Sequence, residues 1–361
     1  MKNLLGRFHF TPDGSTTPAD ALCAFIRGEI ANGRLKAGTA LPTIKELAEE
    51  SGFSFRIARG VVERLAREGC VRSRPRVGTV VLPRDVRMTR GRVLFALPDV
   101  DASSYHATQI DDVLRRRLTT AGYVFTTVVF SQDARRDLSF LKYELAHVPD
   151  LVVVLYAKPH VRAYLRQAGV RSVYVYGDEP APEEGPWIRF SAEGPIANFV
   201  DHCGRAGVTR VTQVRFSGNE TPDARPALAA AGIACEWLNV PSWDVLGRYE
   251  GIRRAAYDIF LDMPHAEFPD VFLFWDDFVA QGALTAFLKR GLQVPADVKV
   301  ASLSNRGLGL IYSAPLTRFE CDAAAAGEKV AEFALAVLAK GRVPSPPVIS
   351  PQYVFGATFP Y

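Results

Sequence analysis

Long apolar runs are missing from this 361-residue chain. No stretch of about 18 apolar residues is present to span a bilayer, and Met1 to Ser15 lack the apolar core of a secretory signal. The expectation is a cytoplasmic protein with no membrane partner. Cysteine is scarce: Cys23, Cys70, Cys203, Cys235 and Cys321 are odd in number, scattered and without C-x-x-C spacing, which argues against a disulfide framework or a zinc knuckle. Catalytic signatures are missing too. The six histidines are isolated, and H-E-x-x-H, G-x-S-x-G and G-x-x-x-x-G-K-[ST] do not occur. No enzyme activity, cofactor or metal is expected, and the histidines read as structural.

What is present is an ordinary globular composition, 48% hydrophobic and 23% charged, in a chain long enough for two domains. Its charge of +4 is unevenly spread. Residues 1–90 carry 16 Lys and Arg against 9 Asp and Glu, while residues 91–361 carry 27 against 30. A basic N-terminal part on a mildly acidic body suits a nucleic-acid-binding appendage, because each neutralised phosphate releases counterions.

Helical spacing of Ala21, Leu22, Phe25, Ile26 and Ile30 predicts a first helix from about Pro18 to Arg34. A second starts at Thr43, where T-I-K-E is a capping box, and stops at Gly52. Ser54 then caps a third that ends at Gly69. Val71, Val80 and Val81, around a turn with Pro75 and Gly78, predict two short strands with a basic tip. Helix, helix, short turn, helix and two-stranded wing make an N-terminal winged helix-turn-helix over residues 1–82. Residues 83–91, polar and basic, read as a linker.

The third helix divides by face at 100° per residue. Ile57, Ala58, Val61, Val62 and Leu65 share one side; Arg56, Arg59, Gly60, Glu63 and Arg67 share the other. Phe55 falls on the border, where an aromatic either finishes the core or meets a thymine methyl. Gly60 lies on the polar side, where it could let a duplex approach closely despite its helix-propensity cost of about 1 kcal/mol.

From residue 92 to 361 the pattern becomes strand, helix, strand. Buried strands are predicted at 92–98, 123–130, 151–157, 172–177, 210–216, 270–275 and 298–304, with helices at 108–121, 160–168, 192–206, 247–260, 278–290 and 322–340. Short apolar strands separated by helices imply parallel sheets, and the length suggests two α/β lobes with a ligand at the carboxyl ends of the strands.

The stretch Ile30 to Val81 resembles the winged helix of the GntR family of bacterial regulators. It shares G-x-L-x-x-G-x-x-LP before the second helix, ELA within it, L-x-x-x-G closing the third and G-T-x-V closing the wing. The resemblance implies double-stranded DNA contact by Lys45, Ser54, Phe55, Arg56 and Arg59, with Arg76 and Gly78 at the wing tip. Phe55 departs from it, since the family commonly has Arg or another polar residue there.

Residues from about 92 to 358 resemble the LacI-type, periplasmic-binding-protein-like ligand domain. The landmarks are a strand followed by Asp277 and A-x-G-A-L, then GL-x-VP-x-DV, P-L-T and a long helix. This implies a small polar effector, a sugar or sugar derivative, bound between two lobes. Asp277, with Asp276 adjacent, matches a cleft position; Ser304-Asn305 and Ser191 stand where the family often has Asp. Further candidates are Asp99, Asp101, Ser103, Tyr105, Tyr156 and Arg225, with Trp243 and Trp275 as stacking rings. The function implied is a homodimeric, effector-controlled regulator, a repressor, on a pseudo-palindromic operator in the nucleoid. The alternatives are a GntR-type fusion to a pyridoxal-phosphate enzyme, or a sugar-binding module without regulation.

Overall fold

The structure, a computed structural model, describes residues 5–11, 16–74, 78–82, 90–99, 101–102, 104–131, 138–216, 221–241, 248–310, 312–339 and 343–361. The N-terminal part contains α1 (Pro18–Ala31), α2 (Ile44–Ser51) and α3 (Phe55–Arg67), then β1 (Val71–Arg74) and β2 (Gly78–Val81). Each helix begins on a hydroxyl cap. Thr17 accepts from the Asp20 amide and Ser54 from the Ile57 amide, and Thr43 forms the full capping box with Glu46. Gly52 ends α2 at φ +71°, a left-handed value that a side chain would strain.

β1 and β2 pair antiparallel, with Val71 opposite Val81 and Arg74 opposite Gly78. The backbone before α2 joins them, Leu41 N donating to Thr79 O and Val81 N to Thr39 O. Leu22, Ile26, Leu47, Ala58, Val61, Leu65, Val71 and Val81 close one core. Phe8, Phe25 and Phe53, in edge-to-face contact, pack against it. The predicted linker lies almost wholly outside the described residues.

The rest forms two α/β lobes. In the first, β3 (Gly91–Pro98), β4 (Tyr123–Phe130), β5 (Leu151–Leu155), β6 (Ser172–Val175) and β7 (Trp187–Ile188) make a parallel sheet in the order β4-β3-β5-β6-β7. It is flanked by α4 (Tyr105–Thr120), α5 (Ser139–Leu145) and α6 (Pro159–Gln167). In the second, β8 (Arg210–Phe216), β9 (Ala234–Val240), β10 (Val271–Phe274), β11 (Lys299–Asn305), β12 (Thr317–Cys321) and β13 (Gln352–Val354) run β13-β12-β11-β10-β8-β9, parallel except for β13. Its helices are α7 (Glu193–Arg205), α8 (Arg225–Ala230), α9 (Arg248–Asp262) and α10 (Asp277–Lys289).

The chain crosses between lobes three times: from β7 to α7, from β12 to α11 (Ala323–Leu338), and from α11 back to β13. α11 belongs to the first lobe, where Val330, Ala331, Ala334 and Val337 share a core with Ile110 and Leu114 of α4. Two of the crossings touch, Ile349 N donating to Arg189 O and Ser191 N to Ile349 O.

Two short helices, α5 and α8, and four strands escaped the sequence pattern. Strand β9 is an edge strand whose apolar residues are interrupted by exposed Glu236 and Asn239, β7 and β13 are only two and three residues long, and β12 alternates Thr, Arg, Phe, Glu and Cys. Each of these strands lacks the uninterrupted apolar run of a central parallel strand.

Candidate functional site

The outward face of α3 is built by its cap and its stripe. Ala58, Val61, Val62 and Leu65 are buried, whereas Ser54, Phe55, Arg56, Arg59, Gly60, Glu63 and Arg67 are exposed. Phe55 is 56% exposed, so of its two readings the core one is excluded. Arg59 donates to Glu63 along the helix and Lys45 lies 3.9 Å from Glu49. Arg56 has no ion pair among the described residues. Arg64 is different: it bridges to Asp20 on α1 and to Glu68, holding α3 against α1. Gly78 sits at φ +90° where the wing turns, and Arg76 lies outside the described residues.

The second site is the crevice where strand ends of the two lobes meet. Strand β3 leads into a turn in which Asp101 N donates to Pro98 O and Ser104 N to Asp101 O; Ser104 then caps α4. The first turn of α4 thereby presents Tyr105 and His106. The Tyr105 hydroxyl donates to the backbone carbonyl of Arg306, just past β11, at 3.2 Å. His106 Nε2 lies 2.9 Å from the Tyr176 hydroxyl, and the Asn305 side chain of the other lobe acts on its ring. Burial holds the imidazole pKa below its ordinary value, against the raising effect of Asn305.

Tyr156 and Tyr176 follow β5 and β6 with φ of +48° and +60°, and their rings are 5.4 Å apart. Non-glycine residues adopt such backbone only where their surroundings over-determine it, and such positions concentrate at ligand sites. From the other lobe, Asp276 caps α10 by accepting from Phe278 N and Val279 N. Asp277 follows it, where the backbone N–H groups of Asp277, Phe278 and Asn305 favour its charged form. Burial first and the neighbouring Asp276 second push the Asp277 carboxyl up to about 7. Burial and then Asp99 push Asp101 up to about 6. The two adjacent carboxylates therefore have separate tasks: one caps a helix and the other lies toward Asn305.

The structure thus joins Tyr105, Tyr156, Asp277 and Asn305, and adds His106 and Tyr176, which sequence reasoning passed over. The six histidines look alike in the sequence; both His106 and His202 meet a distant tyrosine hydroxyl, Tyr176 and Tyr353, and only its place beside the interlobe crevice sets His106 apart. Beside the crossings a cavity of about 150 Å³ is lined by His106, Phe190, Arg306, Asp322 and Lys329.

Other candidates lie elsewhere. Trp275 is a correction: its ring is only 1% exposed, packs on Phe319, and donates from Nε1 to Gln213 Oε1 at 2.8 Å. Directly after the buried strand β10 the ring turns into the core, which burial of so large an apolar surface favours. Arg225 is a second correction. It is held by Asp223, whose carboxyl it draws down to about 2, and lies over Trp237 in the edge strand β9. Ser191 lies in an interlobe crossing, tied through its backbone to Ile349. Ser304 is buried beneath the loop after β11, beside a separate indentation of about 300 Å³. Ser103 and Trp243 lie outside the described residues.

A capped helix with an exposed basic face, on a winged scaffold, joined to two α/β lobes meeting in a polar crevice, defines a DNA-binding transcriptional regulator with a ligand-binding domain. Residues 162–359, more than half the chain, match the periplasmic binding protein-like domain, and residues 18–81 match the gntR family of bacterial regulatory proteins. The chain belongs to the periplasmic binding protein-like family and carries a GntR winged helix at its N-terminal side.

Among solved structures, a LacI family transcriptional regulator from Arthrobacter sp., in complex with lactose, is 18% identical with a TM-score of 0.60, the match covering 75% of this chain and 100% of that one. A LacI family regulator from Bifidobacterium animalis subsp. lactis is 14% identical, TM-score 0.59, covering 74% and 97%. A regulatory protein of the LacI family from Chloroflexus aggregans is 17% identical, TM-score 0.58, covering 73% and 98%. At these identities the likeness is one of fold. No curated protein sequence matches. Among the described residues no helix is long and apolar enough to cross a membrane, and no group of His, Cys, Asp and Glu is arranged to hold a metal ion.

Proposed function

We propose that the protein is a cytoplasmic, homodimeric repressor that holds a pseudo-palindromic operator through α3 and the wing and responds to a small polar effector, a sugar or sugar derivative, between its lobes. The observation that carries the effector reading is the polar group the two lobes turn toward each other: Tyr105, bonded to the Arg306 carbonyl of the other lobe, and His106, bonded to Tyr176, with Asp277 and Asn305 on the facing side. Carboxyl groups, an amide and an imidazole at strand ends supply partners for hydroxyls, and Tyr156 offers a ring for the apolar face of a sugar. Buried polar atoms of a ligand require such partners. The lactose complex of the Arthrobacter regulator is in keeping with this class.

In this mechanism a ligand that replaces or reinforces the interlobe bonds changes the angle between the lobes. In a dimer that motion alters the separation of the two α3 helices, and operator affinity changes by the same coupling free energy with which DNA changes effector affinity.

The test is operator binding by the full chain across a salt series, with and without sugars and sugar acids identified by thermal shift. A ligand at 100 times its Kd raises stability by about 2.7 kcal/mol. Binding that shows no sequence preference, or that survives deletion of residues 1–82, removes the DNA reading. Sequence-specific binding with no stabilising sugar removes the sugar and leaves the regulator. The pyridoxal-phosphate alternative finds no support in the LacI-like fold of the larger part, and a sugar module without regulation leaves the exposed basic face of α3 without a purpose.

A further inference from the structure

We propose that Phe55 reads the 5-methyl group of a thymine in each half-site, making an apolar contact the sequence-selecting element at the start of α3. The inference rests on α3 entering the major groove as proposed above.

Four observations lead there. Phe55 is 56% exposed although it is a phenyl ring, and the core and aromatic cluster of the N-terminal part close without it. It is the first residue of α3, directly after a Ser54 cap whose hydroxyl accepts from the Ile57 amide, and that hydrogen bond fixes where the helix begins. Two arginines follow it on the exposed face: Arg59 is paired with Glu63, and Arg56 has no ion pair among the described residues. Finally, Gly60, one turn beyond Arg56 on the same face, has ordinary helical backbone and nothing within 4 Å of where its Cβ would stand. No contact inside the protein calls for glycine there. Its missing side chain opens room for an outside body to lie close to the helix.

A basic surface with that opening fits a polyanion better than an apolar protein partner. Within the major groove most base-edge features are hydrogen-bond donors and acceptors, which a phenyl ring cannot match. The apolar feature available is the thymine C5-methyl, and contact with it distinguishes T·A from the other pairs. Arg56, beside Phe55, supplies a phosphate or guanine contact that sets the ring's position.

The experiment uses the full chain. Binding sites are first selected from a randomised duplex pool, and each thymine of the selected site is then replaced by deoxyuridine, which deletes only the methyl group. The expected result is about fourfold weaker binding at one position per half-site, the effect of one buried methyl, and no such loss for Phe55→Ala. Because the ring is exposed, the variant should melt with the parent, and equal melting shows that a changed preference is not misfolding. Failure to select any sequence overturns the docking reading itself. Selection of a sequence whose thymines all tolerate uridine, or a Phe55→Ala protein that keeps the parent's uridine sensitivity, overturns the role of Phe55 and leaves the docking intact.

Discussion

The hydroxyl of Tyr105, on the first turn of α4, donates to the carbonyl of Arg306 in the opposite lobe, 201 residues away. Arg306 in turn pairs with Glu320 on β12 and with Asp322, the cap of α11. One loop of the second lobe is thus tied both to the first lobe and to a crossing between them.

Tyr105→Phe removes the interlobe hydrogen bond and nothing else of the ring. A bond of this kind contributes about 0.5–1.5 kcal/mol net, so the effector-free protein should populate an opened form more and bind a lobe-closing effector several-fold more weakly. Small-angle scattering should show a larger radius for the variant. An unchanged radius and unchanged effector affinity would mean the bond does not hold the lobes.

Asp277 titrates with a folded pKa of about 7, above the ordinary value of 3.8. The folded state therefore binds more protons than the unfolded one between those values, and stability falls as pH rises from about 4 to 7. Asp277→Asn, which cannot ionise, should make that dependence shallower, leaving the part due to Asp101 and Asp276, both pushed up to about 6 by burial, and should melt higher than the parent at pH 8, while weakening any effector that donates to this carboxylate. Parallel pH profiles of melting temperature for the two proteins would contradict the burial argument.

Arg56 and Arg59 are neighbours on the same face and differ in pairing, since only Arg59 is bound to a carboxylate, Glu63. Arg56→Ala should weaken operator binding and, if Arg56 meets a phosphate, reduce the magnitude of the log affinity against log salt slope by about 0.9. Arg59→Ala should cost less. Equal losses would show that the Arg59–Glu63 pair opens on DNA.

Gly282, in the middle of α10, allows that helix to touch α9 backbone to backbone. A Cβ there would overlap the Arg253 carbonyl oxygen and the Ala256 methyl. Gly282→Ala should destabilise the second lobe by about 1–3 kcal/mol, the usual cost of overpacking, outweighing the gain in helix propensity of about 1 kcal/mol. Denaturant unfolding measures the difference, and a stabilised variant would show that the helices slide apart freely.

Pattern in the sequence was legible wherever interactions are local. The Thr43 box, the Ser54 cap and the Gly52 stop occur as read, because each depends on residues no more than four apart. Strands β4 and β8 run over the expected residues, 123–130 and 210–216. The crevice was only partly legible. Asp277 and Tyr105 stood out beside strand ends, but His106 had no mark, and Trp275 and Arg225 had the chemistry of ligand contacts without the position. Strand β10, V-F-L-F, is apolar on both faces, so its alternation could not say which way the following tryptophan turns.

The residue pattern alone thus dictated where α2 and α3 begin, which side of α3 faces inward, and that parallel sheets follow a winged helix, since each is set by short-range hydrogen bonds and by periodic burial. Folding in three dimensions decided the rest: that α11 returns to the first lobe, that His106 meets Tyr176 and Asn305, and that Phe55 stays outside a core already filled. Those outcomes depend on contacts between distant segments and on the volume left after packing, and no local periodicity records either.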